Sequence, residues 1–465
     1  MLGYYHYVSI GATLFIISLA GLYSTRMVKS SGDFIVGGRK LGTMMVFAGI
    51  VGAFAGGTVT IGTAQMAYLY GISGIWFTLG AGIACLILAV FIAGPLRAKR
   101  VDTIAQFLSG FYGTGAKTCI ALFIGLGMFI QMTVQMLASA PLLVSMFPVT
   151  PAGAIVLFAF ISLVLVIGGG FISATVVGIL KLVLLTVTLF FSGATGWTLL
   201  EGAGGIERLS SVYACLDLFP RGFFTELAGG LSVIVGFIST QSFLQPVFAG
   251  KDIRSSRLGS MLAALALPVF GAAGVIVGLY MRSSYPGIDP AAALPLFMLH
   301  HLPQWIGGLG VATLLVSLLM TAGALALGIA TLFSRDILPL FRPGSGDREQ
   351  LRVARSVVLI SVSLSCIFGY NILGDLILDW SYLSNALRGV TVFIPLLVVV
   401  FMDRRVYRAI AIWAFIIPPA SSVLWVLLFP GFVHPLYVGL GISFCIIIIG
   451  LLYPGSHRDS NTAKM

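Results

Sequence analysis

Charge is what this chain has least of. Asp, Glu, Lys and Arg make up 9% of its 465 residues, against about a quarter in soluble domains. Acidic side chains number only 15, and none is clustered with histidine inside an apolar run, so a membrane enzyme built on a metal or an acid/base constellation is not expected. Cysteine is also sparse. Cys85, Cys119, Cys366 and Cys445 lie in apolar stretches, Cys215 stands alone in a loop, and no CxxC spacing occurs, so neither a disulfide nor a metal site is predicted. His300 and His301 have no third ligand beside them and read as surface residues. Long polar segments are missing too, which leaves no room for a soluble catalytic or kinase domain. Residues Gly113 to Thr118 end superficially like a phosphate-binding loop, but Ala116 stands where the glycine before the lysine must be and no nucleotide domain follows, which excludes ATP drive.

Apolar residues are what remains. They form 58% of the chain, and the mean hydropathy is +1.07. Hydrocarbon offers a backbone no hydrogen-bond partner, so apolar runs of about 20 residues without two-residue alternation must be helices. The runs predict thirteen spans, near 5–26, 43–69, 73–95, 118–146, 150–168, 172–197, 223–248, 256–281, 303–334, 354–373, 381–402, 406–428 and 434–453. The expected fold is therefore an all-α bundle embedded in a lipid bilayer. The first span has no basic region before it and no small-residue cleavage site, and reads as a retained helix.

Basic residues sort between alternate loops. Of 26 Lys and Arg, 21 fall on one side of the spans, whereas Arg208, Arg221 and Arg282 fall on the other. The positive-inside rule then places the N-terminus outside, the C-terminus in the cytoplasm and the chain in the cell membrane. The net charge of +11 is accounted for by this topology and by anionic headgroups. No basic stripe interleaved with aromatics points to nucleic acid.

Two spans look breakable. Span 2 contains Gly52, Gly56, Gly57 and Gly62 around Thr58 and Thr60; span 7 contains Gly229, Gly230 and Gly236 followed by Ser239, Thr240, Gln241 and Ser242. Broken helices five spans apart are what an inverted repeat of five helices would show, each repeat opening on a discontinuous helix at a midplane site. Glycine used only for close helix packing is the plainer reading of the same pattern.

Specific strings then matter. Asp33-Phe34-Ile35-Val36-Gly37-Gly38-Arg39-Lys40-Leu41-Gly42 resembles the entry motif of the sodium:solute symporter family. Further similarities follow in order: Ala67 to Gly71, Thr103 to Leu108, Gly169-Gly170, Gln245 to Asp252 and Phe333-Ser334-Arg335-Asp336. The resemblance, covering about residues 33–402, implies the leucine-transporter-type fold: five plus five core helices, with one extra helix before and two after. The parts would be residues 1–42 (first helix and cytoplasmic loop), 43–197 (first repeat), 198–222 (outer loop), 223–402 (second repeat) and 403–465 (last two helices and tail). The solute would sit at the unwound parts of spans 2 and 7, with spans 4, 9 and 11 contributing. This places Phe54, Gly56, Gly57, Thr58, Thr60, Gln131, Gln135, Phe237, Ser239, Thr240, Gln241 and Arg388 among the pocket candidates.

The resemblance also implies a second sodium site between spans 2 and 9, built from the carbonyls of Gly52, Ala55 and Ser317 and from side chains at 320 and 321. There the pattern departs. Where the family usually has adjacent hydroxyls, this chain has Met320 and Thr321, or Thr321 and Ala322 if the alignment slips by one. Sodium prefers oxygen ligands, so a thioether or methyl removes one it needs. Span 6 departs as well: in place of the acidic residue usual after the double glycine, this chain continues Val177-Gly178-Ile179-Leu180-Lys181.

Lys181 lies about ten residues, roughly 15 Å, from the basic end of its span, near the centre of a hydrocarbon core about 30 Å thick. Snorkelling cannot easily reach water from there, and such residues usually face a cavity or partner and mark ion pathways. If span 6 presents it to spans 2 and 9, its ammonium could replace the absent sodium, donating to Gly52, Ala55 and Thr321. Desolvation disfavours an ammonium, so the group could release its proton on one side and regain it on the other. The alternative is a static cation that pins helices together. A sodium symporter with Lys181 turned away is the rival reading, and a transporter-like sensor needing a separate partner is a third.

Arg388 is the other cation inside a span and cannot carry protons. Its planar fork suits either a carboxylate on the solute or an ion pair with Asp375 or Asp379. Gln131 and Gln135, four apart, share a helix face and suit either a solute pocket or interhelical hydrogen bonding. The combined expectation is a secondary transporter, not an enzyme and not a channel, with no cofactor. A proton is the expected coupling ion and sodium the alternative. An organic anion or zwitterion is favoured over a neutral sugar, and the sequence is silent on oligomeric state.

Overall fold

The computed structural model describes residues 3–25, 39–99, 101–202, 215–402, 408–429 and 433–452, without the side chains of 18, 20–25, 167–177, 408, 409 and 411. The part of the entry motif from Asp33 to Gly38 therefore lies outside the described residues, as do Arg208 and the tail after 452.

The regular structure of the described residues is helical, apart from an isolated bridge between Leu41 and Gly250. In order it forms α1 (Tyr4–Thr25), α2 (Thr43–Phe54), a π-helical turn (Thr58–Gly62) leading into α3 (Thr63–Tyr70), α4 (Trp76–Ile87), α5 (Ala93–Ala98), α6 (Ile104–Tyr112), α7 (Thr114–Met146) and α8 (Pro151–Gly202). The second half runs α9 (Phe223–Ile238), α10 (Gln241–Ala249), α11 (Ile253–Ser284), α12 (Ala293–His301), α13 (Gln304–Leu332), α14 (Leu338–Phe341), α15 (Asp347–Asn371), α16 (Ile377–Met402), α17 (Arg408–Leu428) and α18 (Pro435–Leu452). Among the described residues the thirteen predicted spans fall mainly on helix, with spans 2 and 7 interrupted. Judged by length and hydropathy alone, eight described helices can cross a membrane, nine with α9 and α10 taken as one bent span, beside four shorter apolar helices. The difference arises because helix boundaries ignore span boundaries. The stretch Thr58–Ala98 joins the end of predicted span 2 to span 3. Helix α8, at 52 residues, contains both predicted spans 5 and 6; at 1.5 Å per residue its chain is about 78 Å long, more than two hydrocarbon cores.

Two short helices escape a hydropathy reading because they are too short to span. One is α6, and its start is written in the sequence: Thr103 accepts a hydrogen bond from the amide of Gln106 at 3.0 Å, and the Gln106 side chain accepts from Asp102 N at 3.1 Å, a variant of the reciprocal cap found at helix starts. The other is α12, inside the predicted loop 282–302, preceded by a turn that Asp289 caps through Ala291 N at 3.0 Å.

Both breakable spans are broken. In span 2 the helix stops at Phe54; the amide of Gly56 turns back to Phe54 O at 2.7 Å, so the carbonyl of Gly52 loses its intrahelical donor. In span 7, α9 and α10 are bent by 43° at Ser239–Thr240, where the amides of Ser239 and Thr240 bond to Gly236 O and Phe237 O. The two broken spans are also tied at the basic end of the bundle. Leu41 N donates to Ala249 O at 3.0 Å and Lys251 N to Leu41 O at 2.9 Å.

Candidate functional site

The unwound stretch of span 2 leaves carbonyl oxygens facing inward, and two neighbouring helices supply their partners. Gly52 on α2 faces Gly178 on α8 without side chains between them; a β-carbon on Gly52 would lie 3.4 Å from the α-carbon of Gly178. One helical turn on, Lys181 stands on that face of α8. Its ammonium donates to Gly52 O at 2.8 Å, Ser317 O at 3.2 Å and Thr321 Oγ1 at 3.3 Å. Lys181 is 1% exposed, and it forms no ion pair among the described residues. A fully desolvated ammonium with three oxygen acceptors is chemically a cation in an oxygen cage.

One expected contact is corrected. The Ala55 carbonyl does not take the lysine; it accepts from the Ser317 hydroxyl on α13. The geometry explains the exchange, because Ser317 offers its carbonyl to Lys181 and its hydroxyl to Ala55, closing a ring between α2, α8 and α13. Met320 does not join this ring. It packs with Ile17, Val316 and Leu180 at the α1 side of α13.

Arg388 occupies the second site, on α16, fully buried. Its aliphatic stem lies against Gly127 of α7, where a larger residue would clash. The guanidinium donates from Nε to Ser384 O at 3.0 Å, from one terminal nitrogen to Thr240 Oγ1 at 2.6 Å, and from the other to Asn385 Oδ1 at 2.7 Å, Ser384 Oγ at 3.0 Å and Gln131 Oε1 at 3.4 Å. Every one of these acceptors is neutral. The expected alternative of an ion pair with Asp375 or Asp379 does not occur: Asp379 pairs with Arg221 at 2.8 Å, and Asp375 accepts from Trp380 Nε1 at 2.8 Å.

Aromatic rings floor this chamber. Phe54 stacks on Phe77 at 5.4 Å and meets Phe237 and Phe243 edge-on at 5.0 and 5.1 Å; the Arg388 guanidinium lies 5.9 Å over Phe243. Thr240 is held in place by donating to Gly236 O at 2.5 Å while it accepts from Arg388. Two buried polar atoms nearby, Asn385 Nδ2 and Tyr382 OH, have no hydrogen-bond partner among the described residues. Tyr382 touches Phe77 at 5.9 Å on one side. On the other it lines a cavity of about 780 Å³ with Arg221, Asp379, Trp425 and His434, at the end of the bundle opposite the basic loops.

The remaining candidates sort by position. Gly56 and Gly57 form the break itself, and Gln135 accepts from Gly57 N at 2.9 Å. Gln131 accepts from Ser381 at 2.9 Å as well as from Arg388. Thr58 is buried in the π-helical turn, where its carbonyl accepts from Thr63 at 3.1 Å, and Thr60 donates to Gly56 O at 3.0 Å. Ser239 donates to Val235 O at 2.7 Å. Gln241 points away from the chamber: its amide accepts from Ile104 N at 3.0 Å and donates to Asp102 O at 2.9 Å, fastening the start of α6. Sequence reasoning missed Ser381, Ser384 and Asn385, although they stand seven, four and three residues before Arg388 and so share its helix face.

The chain thus has two broken helices, a caged cation beside the first break and a buried guanidinium beside the second. The model of the sodium:solute symporter family matches residues 34–417. The chain belongs to the sodium:solute symporter family. It is a multi-pass membrane transporter, not an enzyme.

Relatives of this symporter include the human high affinity choline transporter 1, 22% identical, with 96% of this chain and 78% of that protein covered. The uncharacterized symporter YwcA of Bacillus subtilis is 22% identical over 91% of this chain and 87% of that protein. Among solved structures, an outward-open, substrate-bound Na+-coupled sialic acid symporter superposes with a TM-score of 0.79 at 17% identity, covering 97% of both chains. A nucleobase-cation-symport-1 family transporter in a closed conformation gives 0.60 at 15% identity, covering 92% of this chain and 97% of the other. These likenesses show the leucine-transporter-type fold. Within it, this symporter carries Lys181 where the family resemblance had placed a sodium ion.

Proposed function

We propose that this symporter takes up a small carboxylate-bearing organic solute by alternating access, driven by protons through Lys181 and not by sodium. The observation that carries the reading is the cage of Gly52, Ser317 and Thr321 oxygens filled by the Lys181 ammonium. A fixed cation there leaves a sodium ion neither space nor free ligands. Losing the proton would free those oxygens and loosen α2 from α13; regaining it from the other side would close them again. The two repeats, read as residues 43–197 and 223–402, would move against each other about this contact. The solute reading rests on Arg388. A buried guanidinium whose acceptors are all neutral is a charge waiting for an anion, and its planar fork matches a carboxylate. The orientation drawn from loop charges, N-terminus outside and C-terminus in the cytoplasm of a cell, completes the proposal.

The test is uptake into proteoliposomes under a proton gradient without sodium, and under a sodium gradient without a pH difference. Acid-outside conditions are expected to drive accumulation, and Lys181→Ala to remove it. Uptake that requires sodium and ignores Lys181→Ala would return the protein to ordinary sodium symport. Proton-independent uptake that still needs Lys181 would leave the lysine as a static pin.

A further inference from the structure

Two buried cations, Lys181 and Arg388, sit in separate polar clusters, and one side chain joins them. Gln135, fully buried on α7, accepts from Gly57 N in the break of span 2 at 2.9 Å and donates to Gln131 O one turn back at 3.4 Å. Gln131 in turn accepts from Ser381 and from Arg388. On the other side, a β-carbon on Gly56 would stand 2.6 Å from Gln135 Oε1 and 2.7 Å from Thr321 Oγ1. The bare α-carbon of Gly56 is therefore lodged between Gln135 and the hydroxyl that Lys181 holds at 3.3 Å. The path runs Lys181, Thr321, Gly56 and Gly57, Gln135, Gln131, Arg388, each member in hydrogen bond or contact with the next.

We propose that Gln135 is the coupling residue of this transporter: it transmits the state of the Lys181 cage to the Arg388 chamber through the break in span 2, and does not itself bind solute. The inference rests on the reading of Lys181 given above. Its physical basis is that the break has few ways to move. If the cage opens and α2 withdraws from α13, Gly56 and Gly57 shift, and the hydrogen bond from Gly57 N pulls on the Gln135 amide. That amide is the only side-chain cap on the first free amides after the break among the described residues, so its displacement bears on Gln131 and thus on the guanidinium. A side chain that merely filled space would fix the helix without relaying a change, because no directional bond would tie it to both neighbours.

The experiment needs no solute. Hydrogen exchange is followed by mass spectrometry at fixed pH on the purified full chain, reading amides at 52–57 and at 240–243. The proteins are the parent, Lys181→Met, Gln135→Met and the double variant. In the parent background Lys181→Met is expected to speed exchange about threefold or more at both places, a coupling-sized effect. In the Gln135→Met background it should do so at 52–57 alone. An unchanged response at 240–243 in that background overturns the inference while leaving Lys181 in its role, and so does a parent that responds only at 52–57. A parent in which Lys181→Met alters neither segment removes the reading of Lys181 itself. Should Gln135→Met not yield folded protein, Gln131→Met cuts the same path one turn further on and must give the same loss at 240–243.

Discussion

The ammonium of Lys181 lies 2.8 Å from the carbonyl oxygen of Gly52, in the gap left where the backbone ladder of span 2 is interrupted. An intact helix would have spent that oxygen on its own amide four residues on. The break and the lysine therefore explain each other: one creates an unpaired acceptor in hydrocarbon, and the other is a donor that has no water to go to. Replacing Lys181 by Met should leave the Gly52 carbonyl without its donor, while Ser317, inside the unbroken helix α13, loses only an additional one. At about 1–3 kcal/mol for each buried unpaired group, the expected result is a clearly lower thermal midpoint in detergent, read by tryptophan fluorescence. An unchanged midpoint would mean that the cage does not hold the helices together.

The approach of α8 to α2 depends on small residues at both contact points. A β-carbon on Gly178 would meet Ala48 O at 3.4 Å, ordinary van der Waals contact. Gly178→Ala is therefore expected to keep proton-driven uptake, whereas Gly178→Leu should separate the helices, cost about 1–3 kcal/mol of overpacking and carry Lys181 out of reach of Gly52. Initial uptake rates for the two variants, normalised to reconstituted protein, check this.

Arg388 should resist conservative replacement. Lysine is also a cation, but it has no planar fork and cannot serve the acceptors now spread over Thr240, Ser384 and Asn385. Arg388→Lys is expected to weaken binding of a carboxylate solute by about thirtyfold or more, as truncating a buried hydrogen-bonded charge does. The measurement is isothermal titration with the best anionic ligand from a binding screen. Retained affinity would remove the clamp.

Gly236→Ala probes the same chamber from α9. The added β-carbon would stand 2.5 Å from the Asn385 backbone oxygen and side chain, so α9 must leave α16 and the Thr240 to Arg388 bond must lengthen. Solute affinity should fall by an amount comparable to that of Thr240→Val, about 1–3 kcal/mol for losing one hydrogen bond to a buried charge. Affinity equal to the parent's would show that Thr240 is not a determinant.

Much of this architecture is written in the sequence, because a bilayer enforces it. A backbone in hydrocarbon has to be helical, so hydropathy places the spans mainly on helix, and loop charge sorts their ends. The breaks were legible in glycine and hydroxyl clusters, and Lys181 in its distance from either surface. Hydropathy could not find α6 or α12, since short helices in loops carry no spanning signal, although Thr103 with Gln106 marked the first. Nor could it separate the functions of residues four apart on one helix: Gln131 touches the guanidinium, and Gln135 caps the break.

The amino-acid sequence determined that a lysine lies deep within an apolar span and that residues 320–322 offer a single hydroxyl, because composition and span length are one-dimensional facts. Which oxygens that lysine meets was decided only by the tertiary structure. The Ser317 hydroxyl takes Ala55 and its carbonyl takes Lys181; Arg388 is turned from the described acidic residues toward Thr240, Ser384 and Asn385; Gln241 is turned from the chamber toward α6. The physical reason is common to all three. In a solvent that offers no hydrogen bonds, each buried donor is claimed by whichever acceptor the packing of distant helices brings within about 3 Å, and that packing is a property of the whole bundle.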